Sequence, residues 1–500
     1  MTVGSPTELS EQESPPAASA PDRRRGGGLY FIASLVAQIA ALVRYVTLAR
    51  LLGPEQLGLA ATLVVTGSFF DLISDTGSDR FLIQDRHGDR EDVQALVQFA
   101  WVVRGVVIAL CLVTLAVPIA NFYKTPKLAA GLACLAISPF ILGFTHLDFR
   151  RLQRTQNFRP EAVRSLASEL VSLVVTAVAA WLTHSFVAIL FGLISRSAVL
   201  VLTSHLGAER RYKLAWSPEH GPRLANFAMP LMLSGLMLFI GSQGDRVVVA
   251  RQIGIAALGQ YSAVMLLIFY PSAILLRYMH AIYLPMVAAG RDDFAERNRI
   301  SEKLGGETML LGVAMAVGFA LVAPPLVTIL YGARYSQAWL LVGLIGILGA
   351  TRFLINWPTT VALSLGRSRT VLVSNVMRLF VFPGAYAGYW LFGGLTGVVS
   401  GFIAGELISI AASLALLNRN MSRPLWAEFD RFAMFMLFGA AIVGWNWVAQ
   451  HYSLPLCAGL TIGSVALTGW FVMREWRTLV SAVATAQSLV RSIAERRRRA

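Results

Sequence analysis

The chain contains 500 residues, of which 56% are hydrophobic and 14% are charged, and its mean hydropathy is +0.61. Soluble domains carry about a quarter charged residues, so this composition excludes an ordinary soluble protein. The formal net charge of +15 does not indicate a nucleic-acid partner, because the basic residues lie in short links between apolar runs.

The apolar runs are about twenty residues long, which is the length of a helix that crosses roughly 30 Å of hydrocarbon. They predict an all-α integral membrane protein with about fourteen transmembrane helices. The predicted helices span residues 27–49, 56–79, 95–119, 128–147, 161–182, 185–205, 224–245, 258–282, 305–330, 338–364, 370–391, 395–417, 432–450 and 455–473.

The two ends of the chain differ from this apolar interior. Residues 1–26 begin with a stretch rich in Pro, Ser, Ala and Glu, which predicts a disordered cytoplasmic tail. The apolar run that follows is too long for the core of a signal peptide, so it predicts a retained first helix. Residues 474–500 place apolar side chains on one helical face and end in a run of arginines, which predicts a basic interfacial cytoplasmic tail. A solvated basic tail is the alternative.

The distribution of lysine and arginine supports this segmentation. Both tails and the even-numbered connections hold 31 of these residues, whereas the odd-numbered connections and the helix ends beside them hold 7. Such an alternation follows the positive-inside rule. It predicts fourteen spans with both termini in the cytoplasm.

An internal repeat divides the helices into two sets. Residues 49–58 and 250–259 both read A-R-x-(apolar)-G-x-x-x-L-G, and they lie 201 positions apart, after predicted helices one and seven. Because six helices separate them, the two copies keep the same orientation in the membrane, as in transporters with a substrate site between parallel repeats. We expect two six-helix pseudo-symmetric lobes, a link between them and two further helices. Their ranges are 27–205 (N-lobe), 206–223 (cytoplasmic linker), 224–417 (C-lobe) and 432–473 (the last two helices).

Several stretches resemble one family. They are LARLLGPEQLGLAAT at 48–62, Arg104-Gly105, FRRLQRTQNFRP at 149–160, GSQGDRVVVARQIGIAALGQYS at 241–262 and LYGARYSQA at 330–338. They resemble the polysaccharide transporter family, the oligosaccharide flippases of the multidrug/oligosaccharidyl-lipid/polysaccharide (MOP) superfamily. Beyond residue 400 only the hydropathy matches.

The resemblance implies a fourteen-helix, two-lobed flippase of the bacterial inner membrane, used in lipopolysaccharide or exopolysaccharide biosynthesis. It implies alternating access that moves an undecaprenyl-diphosphate-linked oligosaccharide to the outer leaflet. The implied partners are this lipid-linked oligosaccharide and membrane lipids, with the polymerase and glycosyltransferases of the same pathway as further candidates. The resemblance implies no substrate-binding residue.

Arginines within predicted helices are the candidates for substrate binding, because charge inside a membrane is costly and usually functional. A guanidinium group suits the oxygens of a diphosphate. The candidates are Arg104, Arg352, Arg196 and Arg378, which come from both predicted lobes. Alternatively, each arginine pairs with an acid or a helix end and holds two helices together.

Four intramembrane acids are candidates for ion coupling: Asp71, Asp75, Glu169 and Glu406. Asp71 and Asp75 are four positions apart in predicted helix two, so they share a face on which two carboxylates could hold a proton or a cation. Pairing with the arginines is the alternative for all four. The Asp245-Arg246 dipeptide ends predicted helix seven and is interpreted as a capping pair.

No pattern of catalytic or metal-binding residues appears. The seven histidines form no HExxH motif, and no Walker A loop is present. Cys111, Cys134 and Cys457 each lie in an apolar run, which predicts buried side chains without a disulfide or metal role. We therefore predict that the chain is not an enzyme and needs no cofactor or metal.

Two other functions stay open. The first is an ion-coupled exporter of small amphiphilic compounds, whose cavity would be lined by acids and aromatic residues. The second is a membrane-embedded glycosyltransferase or polymerase. Such enzymes usually need a sizeable external loop, which this sequence lacks.

Overall fold

The computed structural model describes residues 20–289, 293–335, 339–420 and 429–451, together with the single positions 469, 473 and 480. The regular secondary structure of this part of the chain is helical. Its α-helices are α1 Ala20–Leu51, α2 Pro54–Ile73, α3 Ser78–Gln84, α4 Glu91–Phe122, α5 Leu128–Leu135, α6 Ile137–Gly143, α7 Asp148–Arg154, α8 Arg159–Thr183, α9 Ala188–Leu206, α10 Gly221–Gln252, α11 Ile255–Ala289, α12 Phe294–Tyr331, α13 Trp339–Leu354, α14 Asn356–Ser364, α15 Ser368–Met377, α16 Val381–Phe392, α17 Gly394–Asn420 and α18 Phe429–His451. Short 3-10 helices occupy Ala333–Tyr335 and Arg378–Phe380.

Eleven helical stretches within the described residues are long and apolar enough to cross a membrane. The number is twelve if Leu128–Gly143 and Asp148–Arg154, which are bent by 52° relative to each other, form one broken span. The prediction of an all-α membrane protein is thereby confirmed. The predicted fourteenth helix (455–473) and the basic tail (474–500) lie outside the described residues except for three single positions, so the total of fourteen stays a prediction.

Some predicted helix boundaries were wrong. α1 begins at Ala20 instead of residue 27, and Pro21 is tolerated there because an N–H in the first turn has no helical partner. α2 ends at Ile73 instead of residue 79, because the chain turns at Gly77 with a φ of 58°, a conformation that favours glycine. Predicted helices four, ten and eleven are each interrupted, near Ala136, Ile355 and Arg378 respectively.

Helix packing follows the chain order in two sets, which we call the N-half (α1–α9) and the C-half (α10–α17). In the N-half, α1 packs on α8, α8 on α9, and α4 on α5 and α6. In the C-half, α12 packs on α13, α13 on α17, and α16 on α17, while α18 lies against α12 and α13. α2 makes the main contact between the halves, because it packs along both α10 and α11.

The connections of the N-half gather at two ends. At one end, Arg150 on α7 lies 2.8 Å from Asp79 on α3, and Arg154 donates to the carbonyl oxygen of Leu82 at 2.7 Å. At the other end, the backbone N–H of Phe186 donates to Gln56 at 3.0 Å. The basic connections therefore lie together, at the end that the positive-inside rule assigns to the cytoplasm.

The two copies of the repeat contact each other at that second end. A Cβ atom on Gly58 would lie 1.9 Å from the carbonyl oxygen of Ile255, and a Cβ atom on Gly259 would lie 2.0 Å from that of Pro54. Ile255 and Gly259 stand 201 positions after Pro54 and Gly58, so the contact has two-fold symmetry. Only glycine permits this close approach of α2 and α11, which explains the final glycine of both copies.

Candidate functional site

A cluster of charged residues, the N-half triad, joins three helices of the N-half. Arg44 on α1 places Nη1 3.2 Å from Oε2 of Glu169 on α8. Arg196 on α9 donates through Nε to Oε1 of the same carboxylate at 2.5 Å. Arg44 also donates to the Ser172 hydroxyl at 2.5 Å, and that hydroxyl donates to the carbonyl oxygen of Gly192 at 2.8 Å. One carboxylate therefore serves two arginines, and the triad carries a formal charge of +1.

A cavity of about 200 Å³ lies beside this triad, which is room for several water molecules. It lies among α2, α4, α5, α6 and α9, and its charged lining residues are Asp71 and Arg196. Serine hydroxyls add polar lining, and the hydroxyls of Ser138 and Ser197 lie 2.7 Å apart. The Asp71 side chain is 57% exposed and that of Arg196 is 37% exposed. The site thus combines an accessible cation, an accessible acid and neutral donors.

The side chain of Arg104 on α4 reaches the C-terminal end of α2. Its Nη2 donates to the carbonyl oxygen of Asp71 at 2.9 Å, and its Nε donates to the Ser74 hydroxyl at 3.0 Å. The Asp71 carboxylate is 3.6 Å from Nη2. A cation there interacts favourably with the last carbonyls and the negative end of the helix dipole. This is the helix-end role that the sequence left open as the alternative for Arg104.

The C-half contains a second cluster, which we call the C-half network. Arg352 on α13 lies 3.0 Å from Asp245 on α10 and 3.1 Å from Glu406 on α17. Arg378 donates to both oxygens of Glu406, at 3.0 and 3.1 Å. The Tyr261 hydroxyl donates to Asp245 at 2.5 Å. Two buried acids and two largely buried arginines balance each other, so the network carries no net charge.

The two clusters lie on corresponding spanning segments of the two halves, and the side chains on corresponding segments have opposite charges. Asp245 stands 201 positions after Arg44, on the first helix of each half. The fifth predicted span of each half carries Glu169 on α8 in one case and Arg378, between α15 and α16, in the other. The sixth span carries Arg196 on α9 or Glu406 on α17. Arg352 has no charged equivalent among these contacts and brings the C-half network to neutrality. Sequence reasoning missed Arg44 because it placed that residue near a helix end, although the 201-residue offset links it to Asp245.

The candidate acids have different surroundings. Asp71 and Asp75 do not share a helical face, because Asp75 lies beyond the end of α2, accepts the backbone N–H of Gly77 at 2.9 Å and lies 2.6 Å from Arg80. Glu169 and Glu406 each bind two arginines. The interpretation of Asp245-Arg246 as a capping pair was wrong, because α10 continues to Gln252 and buries Asp245 in its interior.

The predictions for the cysteines and for metal binding, and one buried acid, complete the comparison with the sequence. Cys134 is exposed rather than buried, Cys111 is half-buried, and Cys457 lies outside the described residues. In the described part of the chain, no group of three or more His, Cys, Asp or Glu side chains is placed to hold a metal ion. Sequence reasoning also missed Glu307, a buried acid on α12 within the C-half.

Comparisons with known proteins agree with this architecture. The family described as "Polysaccharide biosynthesis protein" matches residues 47–340. The succinoglycan biosynthesis transport protein ExoT of Rhizobium meliloti (strain 1021) is 28% identical over 445 residues, which cover 86% of this chain and 88% of that protein.

Two solved structures share the fold. The lipid II flippase MurJ in an inward closed conformation aligns with a TM-score of 0.66 at 13% identity, over 90% of this chain and 99% of that chain. An inward-facing multidrug resistance transporter of the MATE family, of the MOP superfamily, aligns with a TM-score of 0.64 at 14% identity, over 77% of this chain and 94% of that chain. The three proteins are named as transporters or a flippase, in agreement with the prediction that the chain is not an enzyme. The resemblance to polysaccharide transporters is confirmed, and the chain belongs to the polysaccharide biosynthesis protein family.

Proposed function

We propose that the chain is a flippase that moves an undecaprenyl-diphosphate-linked oligosaccharide across the bacterial inner membrane for surface polysaccharide or exopolysaccharide biosynthesis. The observation that carries this proposal is a transporter fold with a cationic site at membrane depth, in a chain similar to a succinoglycan transport protein. A diphosphate head group needs such a cation, whereas its lipid chain stays in the bilayer.

The two halves are the moving lobes in this proposal. The lobes correspond to the predicted ranges 27–205 and 224–417, with the linker 206–223 between them. Each half has charged side chains that tie its first helix to its later helices, which favours movement as a unit. The contact between the repeat copies then closes one end of the path, and its opening is one step of alternating access.

Two arginines of the repeat strengthen this closure. Arg50 donates through Nε to the carbonyl oxygen of Leu330 at 2.7 Å, and it also donates to the carbonyl of Ile329, at the end of α12. Arg251, which stands 201 positions later, lies 5.4 Å from the ring of Phe122 at the end of α4. Each arginine therefore reaches the C-terminal end of the third long helix of the opposite half, where the helix dipole favours a cation.

Transport by the purified full-length chain tests the proposal directly. The chain is reconstituted into liposomes with a fluorescent undecaprenyl-diphosphate oligosaccharide, and a membrane-impermeant quencher reports the lipid in the outer leaflet. We expect the rate of leaflet exchange to exceed that of protein-free liposomes and to rise with protein content. In cells, loss of the gene should accumulate the lipid-linked intermediate and abolish the surface polysaccharide. Exchange equal to that of empty liposomes would contradict the proposal.

A second function has one observation in its favour. Asp71 borders the N-half cavity with an exposed carboxylate, as an ion-coupled exporter of small amphiphilic compounds requires. This function predicts dye efflux from cells that depends on a proton or sodium gradient and fails in Asp71→Asn. Dye efflux equal to that of the gene-deleted strain would contradict this second function.

A further inference from the structure

We infer that Arg196 is a mobile cation that leaves Glu169 to bind a phosphate oxygen, while Arg44 stays behind and keeps Glu169 paired. This inference rests on the proposed function, since it identifies which part of the chain holds the anionic group of the substrate. It makes Arg44 and Glu169 positioning residues for Arg196.

The first step of the argument is that Glu169 has a separate arginine for each oxygen. Arg196 binds Oε1 and Arg44 approaches Oε2, so either arginine can depart without taking the partner of the other oxygen. Removing the partner of a buried ion normally costs about 3–5 kcal/mol, because a charge is left uncompensated. Here the remaining ion pair avoids that cost.

The second step is that the two arginines differ in accessibility. The side chain of Arg44 is 8% exposed and is held by the Ser172 hydroxyl as well as by Glu169. The side chain of Arg196 is 37% exposed and lines the cavity of about 200 Å³. An incoming anion therefore meets Arg196, whereas Arg44 lies behind it between α1 and α8.

The third step is the contrast with the C-half network. If Arg378 left Glu406, that buried carboxylate would keep only Arg352, which is also the ion-pair partner of Asp245. In the C-half one arginine thus serves two buried acids, whereas in the N-half each oxygen of Glu169 has its own arginine.

The ligand is defined by chemistry. A guanidinium group binds two oxygens of a phosphate with parallel hydrogen bonds, and the lining hydroxyls of Ser138 and Ser197 add neutral donors. The phosphate belongs either to a prenyl diphosphate or to a free anion. Binding of farnesyl diphosphate and of inorganic pyrophosphate distinguishes these two sources.

The experiment measures the Kd of farnesyl diphosphate for the purified full-length chain and its variants. Arg196→Gln should weaken binding about tenfold or more, and Arg196→Lys should weaken it less, because an ammonium keeps the charge without the planar fork. Arg44→Gln should also weaken binding, because Glu169 then depends on Arg196 alone. The double variant Arg44→Gln with Glu169→Gln should restore binding, because Arg196 is released.

Arg150→Gln is the matched control, since it removes an arginine from another partly buried pair of the N-half away from the cavity, and its Kd should equal that of the wild type. A normal Kd in Arg196→Gln, or a double variant that binds as weakly as Arg44→Gln, would overturn the inference. A wild-type chain that binds neither farnesyl diphosphate nor pyrophosphate would also overturn the inference. The proposed function is tested independently, by leaflet exchange in liposomes. If pyrophosphate binds as tightly as farnesyl diphosphate, Arg196 still binds phosphate, and the site accepts a free anion as well as a prenyl diphosphate.

Discussion

At the scale of single residues, the intramembrane charges divide into those that hold helices and one that lines a cavity. Each of the four candidate arginines has a carboxylate within 3.6 Å. The structure therefore shows, for each of the four, the acid pairing that the sequence analysis left open as the alternative to substrate binding. Their exposure and charge balance separate Arg196 from the others.

The C-half network makes a prediction about stability. Arg378→Gln should lower the thermal midpoint and the amount of folded protein in the membrane, because Glu406 loses two hydrogen bonds in a buried position. A loss of about 3–5 kcal/mol is typical of breaking such a pair. The double variant Arg378→Gln with Glu406→Gln should recover part of this loss. Thermal unfolding monitored by tryptophan fluorescence provides the measurement, and a single variant as stable as the wild type would contradict the assignment.

At the scale of helices, hydropathy predicted where helices lie, and local backbone chemistry decided where they end. Thirteen of the predicted segments coincide with observed helices, because a run of about twenty apolar residues needs satisfied backbone groups in lipid. The early end of α2 at Ile73 was missed although the residues after it, Ser-Asp-Thr-Gly-Ser-Asp at 74–79, are polar turn formers that mark a break. The charge pairs of the two clusters could not be predicted, because they join residues 27 to 125 positions apart.

The contact between the repeat copies gives a prediction for α2 and α11. Gly58→Ala should separate the two helices, because its Cβ would lie 1.9 Å from a backbone oxygen that has no way to rotate aside. Gly259→Ala should have the same effect by symmetry. Gly67→Ala on α2 is the control, since its Cβ would make an ordinary 3.5 Å contact with Leu135.

Cysteine accessibility measures this separation. In a chain whose native cysteines are replaced, a cysteine at the buried position Leu258 should react faster with an impermeant maleimide when Gly58→Ala is present. Leaflet exchange should fall in the same variant, because one end no longer closes. Reactivity equal to that of the Gly67→Ala control would show that the contact is not a closure.

At the scale of the whole molecule, the two halves share the same order of spans, but the charged side chains on corresponding spans differ in sign. The first, fifth and sixth predicted spans carry Arg, Glu and Arg in the N-half, whereas they carry Asp, Arg and Glu in the C-half. Pseudo-symmetry was readable from the sequence because the offset of 201 is constant at the repeat segments. The inverted charges share this offset only at Arg44 and Asp245, so those on the later spans were identified only from the contacts.

The orientation of the whole molecule is the last prediction. The linker between the halves carries the exposed Arg211 and lies at the end that gathers the basic connections, whereas the exposed Lys127 lies between α4 and α5 at the opposite end. The positive-inside rule assigns the first end to the cytoplasm. In intact cells, an impermeant maleimide should therefore label Lys127→Cys and leave Arg211→Cys unlabelled until the membrane is permeabilised. Labelling of Arg211→Cys in intact cells would reverse the orientation, and the repeat contact would then close the cytoplasmic end of the path instead of the external one.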